Sequence, residues 1–319
     1  SNTDFTSLRE SMIKYIKAVY PTDYQNFNET DLGMMLIEVI AYMGAVMSNK
    51  ADMLAHENYL ATAKQRSSVQ RLLKLIGVNM KGPISSNADA KIALTTAIGA
   101  GKSLVVTPEQ RVYTANSPED GSVLNFTLYR VKPGEGRIAT ATADASLAFP
   151  KTESLAAGGL TWENAVLLEG TLVSEEGAFN NSETIKTIKL SQGPVVEKSI
   201  EVLVTSNNST TDGSYEQVDN LYFASGADSR IFSVDYDDNY NATVSFGDGV
   251  VGANPDDGAT YIVTYRVGGG TRGNLVKDTI SIGRILADSD GTAFTGTVSN
   301  RDAATGGENA ESVEHAKRY

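Results

Sequence analysis

The 319 residues contain no cysteine, and histidine is confined to His56 and His315. A disulfide framework and thiolate metal sites are therefore excluded, and the usual nitrogen ligands are nearly missing. Basic residues are scarce beyond the front of the chain. Residues 1–82 hold nine Lys and Arg against eight Asp and Glu, the remainder holds 18 against 31, and the net charge is −12. Nucleic-acid binding draws on clustered Lys and Arg, and an acidic surface repels a polyanion, so nucleic acid is not expected as a partner. No basic stretch leading into an apolar run opens the chain, and no secretory signal is read there. The most apolar stretch, Leu32 to Met47, has 16 residues with Glu38 inside it. That falls short of the roughly 20 that span a bilayer, so the chain reads as soluble, with no membrane partner.

What is present begins with helical spacing. Phe5, Leu8, Met12, Ile13, Ile16 and Val19 recur at steps of three and four before Pro21, which predicts a helix over residues 4–19 with Asp4 as its cap. A second helix is expected from Thr30-Asp31 to about Ala55, its stripe formed by Leu32, Leu36, Val39, Ile40, Met43, Val46, Met47 and Leu54. Met34, Met35, Ile37 and Tyr42 lie off that stripe, so the helix is apolar nearly all round and needs cover on more than one side. Gly33, Ile37, Ala41, Gly44 and Ser48 share a further face, and each glycine costs about 1 kcal/mol in a helix interior relative to alanine. Close approach of another backbone would offset that cost; the neighbour is either a second chain or this chain's own elements. A third helix is expected from Ser67, through a Ser67-to-Gln70 capping box, to Gly77.

From Ala88 the pattern changes to short β-branched or alternating runs separated by Gly, Pro, Asn and Asp, including Lys91 to Thr96, Val123 to Val131 and Thr260 to Val267. The fold class expected is α+β: an N-terminal helical segment for an inter-chain bundle, then a mostly antiparallel β domain. The divisions read from composition are 1–82 helical, 83–296 β-rich with an inserted lobe at 151–221, and 297–319 as linker and start of a C-terminal helical domain. Gly247-Asp248-Gly249 marks a tight reversal after Phe246, with Val250-Val251 as the returning strand.

Chemical motifs are fragmentary. Gly99-Ala100-Gly101-Lys102-Ser103 ends like a phosphate loop, but the first glycine of that motif is replaced by Thr96 and a strand pattern follows. Asp235, Asp237 and Asn239 have calcium-loop spacing, yet the sixth position is Tyr240 and the twelfth Phe246, so a solvated turn is expected. Neither histidine is placed beside a nucleophile. No cofactor, metal or catalytic residue is assigned.

Three blocks are specific. Asp31-Leu32-Gly33-Met34-Met35-Leu36-Ile37-Glu38-Val39-Ile40-Ala41-Tyr42 is followed by Glu57 to Ala63, Arg66-Ser67-Ser68-Val69 and Ile76-Gly77. Val244-Ser245-Phe246-Gly247-Asp248-Gly249 is followed by Gly252, Asp257-Gly258, Val263 to Arg266, Gly268-Gly269-Gly270 and Gly273-Asn274. Ala304-Thr305-Gly306-Gly307-Glu308 closes the series. Together they resemble the baseplate wedge proteins of contractile-tailed phages, the baseplate J-like family.

The resemblance implies a non-catalytic virion subunit in the tail baseplate, assembled in the host cytoplasm. Its N-terminal helices would join a second copy of itself and another wedge protein. Neighbouring wedges, the hub and sheath-initiating proteins would be its further contacts, through a ring that changes shape on sheath contraction. Leu32, Gly33, Leu36, Ile37, Val39, Ile40, Ala41, Met43, Gly44 and Met47 are then the expected partner interface. Phe246, Gly247, Asp248 and Gly249 form a fold-signature turn together with Gly268, Gly269 and Gly270, the glycine run also being a hinge with Gly82-Pro83. The family continues into a further domain, and Glu308 to Tyr319 opens a helical pattern. A contractile injection machine subunit of bacteria would look the same. A rival of another class is a carbohydrate-binding lobe at 151–221 using Trp162 or the Tyr222-Phe223 pair, and a hydrolase acting through a carboxylate is the third reading.

Overall fold

The computed structural model describes residues 4–28, 31–131, 146–180, 184–223 and 226–318, the side chain of Phe223 excepted. The chain divides into a helical unit, residues 1–76 with 313–319, and a β unit, residues 77–312. Helices over 5–75 followed by a mostly antiparallel β unit make the α+β class plain.

The helical unit contains α1 (Phe5–Val19), α2 (Leu32–Glu57), α3 (Arg66–Leu75) and the short α4 (Val313–Ala316). Asp4 caps α1 by accepting the N–H of Ser7 at 2.9 Å, and Asp31 caps α2 by accepting that of Gly33 at 3.0 Å. α3 departs from the expected capping box: its N-cap is Gln65, with no side-chain cap bond. The acceptor comes from elsewhere, because the Glu57 carboxylate at the end of α2 takes the N–H groups of Lys64 at 2.9 Å and Gln65 at 3.2 Å. Those bonds hold Glu57 below the ordinary glutamate range. Gly77, at φ +80°, follows α3 as expected for a left-handed stop.

The β unit is built on two sheets. The strands of the first are β1 (Asn87–Leu94), β2 (Ser103–Val106), β3 (Val112–Asn116), β4 (Val123–Arg130), β5 (Leu147–Pro150), β6 (Thr161–Glu169), β14 (Ser281–Asp288) and β15 (Ala293–Asn300), in the order β3-β4-β6-β1-β15-β14-β2-β5. The second holds β7 (Thr171–Ala178), β8 (Thr187–Lys189), β9 (Glu201–Thr205), β10 (Gly213–Gln217), β11 (Ile231–Tyr236), β12 (Ala242–Phe246) and β13 (Thr260–Val267), in the order β7-β13-β9-β10-β11-β12-β8. Each sheet closes on its own core: Trp162, Tyr113, Phe126 and Phe149 lie in the first, and Phe246, Phe232, Val244 and Tyr265 in the second.

The second sheet is one continuous insertion between β6 and β14, so the inserted lobe is 171–267 and not 151–221. Composition misplaced it because Thr161 to Glu169 belongs to the parent sheet, and because β11 to β13 return to the lobe. The stretch 297–300 also differs from expectation. It is the end of β15, paired to β1 and β14, and Val298 is fully buried.

The glycine run that follows β13 is packed into the fold. Gly268, Gly269 and Gly270 are buried with φ of +142°, +88° and +109°. Their N–H groups donate to Pro194 O at 2.9 Å, Glu169 Oε2 at 2.6 Å and Ile84 O at 3.0 Å. A Cβ on Gly268 would stand 2.9 Å from the Cα of Gly170, so only glycine lets the two strand ends meet there. Gly82 is equally held, giving its N–H to Glu197 at 2.7 Å. Beside this seam Arg266 donates to Gly170 O at 3.0 Å and to the Tyr129 hydroxyl, and the Tyr129 ring lies 5.2 Å from Arg266 and 5.1 Å from Arg111.

The turn after Phe246 is a fold element, but Val250-Val251 forms no strand. The chain instead doubles onto itself: Asp248 accepts the N–H groups of Val250 and Val251 at 2.8 Å, and a Cβ on Gly247 would lie 2.3 Å from the carbonyl of Gly252. Gly247→Ala is expected to destabilise the β unit by about 1–3 kcal/mol through that overlap, read as a lower denaturation midpoint at unchanged slope.

Glu169 is 2 % exposed, and burial raises its carboxyl above the ordinary glutamate range against the pull of the Gly269 N–H, Arg272 and Arg266. A raised carboxyl favours the folded state fully below its unfolded pKa of about 4.3. That contribution is lost as pH rises through the folded value. Glu169→Gln should therefore gain stability relative to the natural chain as pH rises from 4 to 8, checked by thermal melts across that range.

Candidate functional site

The sequence directs attention to α2, where the structure separates two faces. Met34, Ile37 and Ala41 are the buried residues of the helix. α1 folds back along this face: Leu8 lies 3.3 Å from where a Gly44 Cβ would be, and Arg9 pairs with Glu38 at 3.0 Å. Gly33 sits under Tyr24, whose ring would overlap any Cβ at 2.5 to 2.7 Å. The Tyr24 hydroxyl donates to Asp31, and this bond is the main reason its pKa is pushed up to about 12 and that of Asp31 lowered. The Tyr24 ring also meets Phe27 edge-on at 5.1 Å, and Lys17 lies 4.7 Å from the Phe27 centroid.

The small-residue face is therefore covered by the chain's own α1 and the connection that follows it. Of the ten residues expected at a partner interface, Gly33, Ile37, Ala41 and Gly44 face this intrachain contact. The spacing of Gly33, Ile37, Ala41 and Gly44 correctly signals close approach but cannot name the neighbour. The signal that could have done so is the position of α1, twelve residues upstream, since a short connection makes consecutive helices neighbours.

The remaining six, Leu32, Leu36, Val39, Ile40, Met43 and Met47, are exposed, Leu32 by 71 % and Met47 by 68 %. Met35, Tyr42, Val46, Met53 and Leu54 extend the same surface, and Tyr15 and Val19 are exposed on α1. Spacing alone had assigned the main stripe to these outward residues. They are the more numerous apolar set, whereas the intrachain contact uses few: Met34, Ile37, Ala41 and the two glycines. Such a contiguous apolar face on one helix is the mark of an interaction site.

The helix ends within two residues of the expected Ala55. Its 26 residues include an 18-residue window of mean hydropathy 1.5, long and apolar enough to cross a membrane. The 16 residues counted as apolar in the sequence ended at Met47, whereas the helix that carries them runs ten residues further. Charge interrupts it at Glu38, paired with Arg9, and again at Lys50, Asp52 and Glu57.

The other motifs resolve into structure. Lys102 pairs with Asp288 at 2.8 Å and Asp290 at 3.0 Å, and Ser103 opens β2, so the Gly-Lys-Ser run is a strand connection. Asp237 accepts the N–H groups of Asn239 at 2.8 Å and Asn241 at 2.9 Å, an Asx turn after β11. Trp162 is fully buried and donates to Pro150 O at 2.9 Å, so it is a core residue and not a sugar platform.

Gly44→Leu is expected to force α1 off α2, because the added side chain must displace Leu8. Circular dichroism should show lost helix and an earlier first melting step. Full helicity in that variant would contradict the packing described.

Residues 4–75, the span of α1 to α3, match the family model described as bacteriophage baseplate protein, N-terminal domain. No curated protein matches the chain. The helical unit is thus similar to the N-terminal domain of a bacteriophage baseplate protein, which supports a structural role in a phage tail baseplate, in contact with other baseplate components.

Proposed function

We propose that the chain is a structural subunit of a baseplate wedge, and that the outer face of α2 joins it to a second copy of itself and to another wedge protein. The observation that carries this reading is the pairing of a filled inner face with an exposed apolar outer one on the same helix. Each large aliphatic side chain that a partner buries contributes about 1.5–3 kcal/mol on transfer from water, before the costs of association. A membrane is the competing cover; the charges at Glu38, Lys50 and Asp52 favour protein.

The wider part of the proposal follows the resemblance in the second and third sequence blocks. Wedges link around the hub, contact neighbouring wedges and sheath-initiating proteins, and rearrange when the sheath contracts. The work is packing, without catalysis. The equivalent subunit of an injection machine would share the mechanism, but the match over residues 4–75 names a bacteriophage protein and favours the phage reading.

In sedimentation equilibrium the full chain is expected to associate, and Met43→Lys with Met47→Lys to leave it monomeric at the same concentration and with an unchanged melting temperature. Liposome flotation should leave the natural chain in the soluble fraction. A natural chain that stays monomeric at all concentrations, or that floats with vesicles, would overturn the reading.

A further inference from the structure

The last turns of α2 meet α3 across an open groove of about 440 Å³. α2 lines it with Lys50, Met53, Leu54 and Glu57, the i, i+3, i+4 and i+7 spacing of a single helix face, and α3 lines it with Ser68, Arg71 and Leu72. The two faces do not fill each other: Met53 is 52 % exposed and Leu54 68 %. Every residue from Asn49 to His56 is exposed. Most of the stability of a helix in a protein comes from packing an apolar face, so these turns lack their usual support until something lies against them.

Charge specifies the kind of cover. Among the described residues, neither Lys50 nor Arg71 enters an ion pair or a hydrogen bond. Glu57, the carboxylate of the groove, is engaged by the backbone, accepting the N–H groups of Lys64 at 2.9 Å and Gln65 at 3.2 Å. Two cations without a counter-charge therefore stand beside methionine and leucine. A second copy would bring the same Lys50 and Arg71 to the contact, and residues 1–82 carry no acidic surplus to answer them. Like charges brought together disfavour that pairing. An anionic membrane would suit the cations, but a groove between two helices is concave and fits a rod better than a plane.

We propose that the groove seats an amphipathic helix of a different chain, its apolar stripe on Met53, Leu54 and Leu72 and its acidic residues against Lys50 and Arg71. The assignment rests on reading α2 as a baseplate interaction helix and divides its length between two partners. The stretch from Leu32 to Met47, whose Glu38 is already paired with Arg9, suits a second copy, and the groove from Lys50 onward takes the acidic helix.

The test titrates the full chain against a panel of designed amphipathic peptides with leucine at i, i+3, i+4 and i+7, each flanked by glutamate or, in its twin, by lysine, and reads fluorescence anisotropy. At least one glutamate-flanked peptide should bind about tenfold tighter than its twin, equal to about 1.4 kcal/mol, and lose that margin as salt rises. Lys50→Glu with Arg71→Glu should reverse the preference at an unchanged melting temperature, since both side chains are exposed. Leu54→Ala should weaken the glutamate-flanked peptide without shifting the melt. Equal binding of the twins, no binding of any peptide, a preference that survives the charge reversal, or flotation of the natural chain with anionic vesicles overturns the proposal. A chain that associates in sedimentation yet lacks the charge preference fails the groove alone, and one that stays monomeric yet shows the preference fails the pairing of copies alone.

Discussion

A helix that is apolar around most of its circumference cannot be covered by one neighbour, because a packed helix shields only the strip where ridges meet grooves. In α2 that strip is the small-residue face, closed by Leu8, Tyr24 and the Arg9–Glu38 pair. Most of the large apolar residues are left on the other side. Gly33 and Gly44 let the tyrosine and leucine come close, and the close fit is what frees Leu32, Leu36, Val39, Ile40, Met43 and Met47 from any role inside the unit. Fold and interaction surface thus use different residues of the same helix, and a change on one face leaves the other intact.

The β unit shows a comparable division of labour at its seam. Glu169, Arg266, Tyr129 and the three glycines tie the strand ends where the inserted lobe leaves and rejoins the first sheet. Glu169 holds the Gly269 N–H that a close-packed glycine corner would otherwise leave without a side-chain acceptor. The electrostatic cost of burying its carboxylate is the reason its pKa rises.

Much of this was legible in the sequence. The three helices begin and end close to where the spacing, Asp4, Asp31 and Gly77 place them, and the run Thr260 to Val267 is a strand with those same ends. What sequence could not supply was partnership. The spacing of Gly33, Ile37, Ala41 and Gly44 specifies a close contact in either a second chain or α1, since both give the same pattern. The Glu57 cap of α3 was invisible for a related reason: its acceptor lies eight residues before Gln65 and is brought in by a turn, whereas a capping box is read over three. Composition also hid the extent of the lobe, because β6 and β7 differ in sheet but not in residue type.

The lobe's two ends lie side by side. Gly170 and Gly268 approach so closely that no side chain fits between them, and every strand of the parent sheet finds its neighbours without help from 171–267. A segment that enters and leaves through one doorway can be lengthened, shortened or replaced during evolution while the host framework keeps all of its strand pairs. Variety in this chain's lineage should therefore accumulate beyond that doorway, whereas the sheet behind it stays constant.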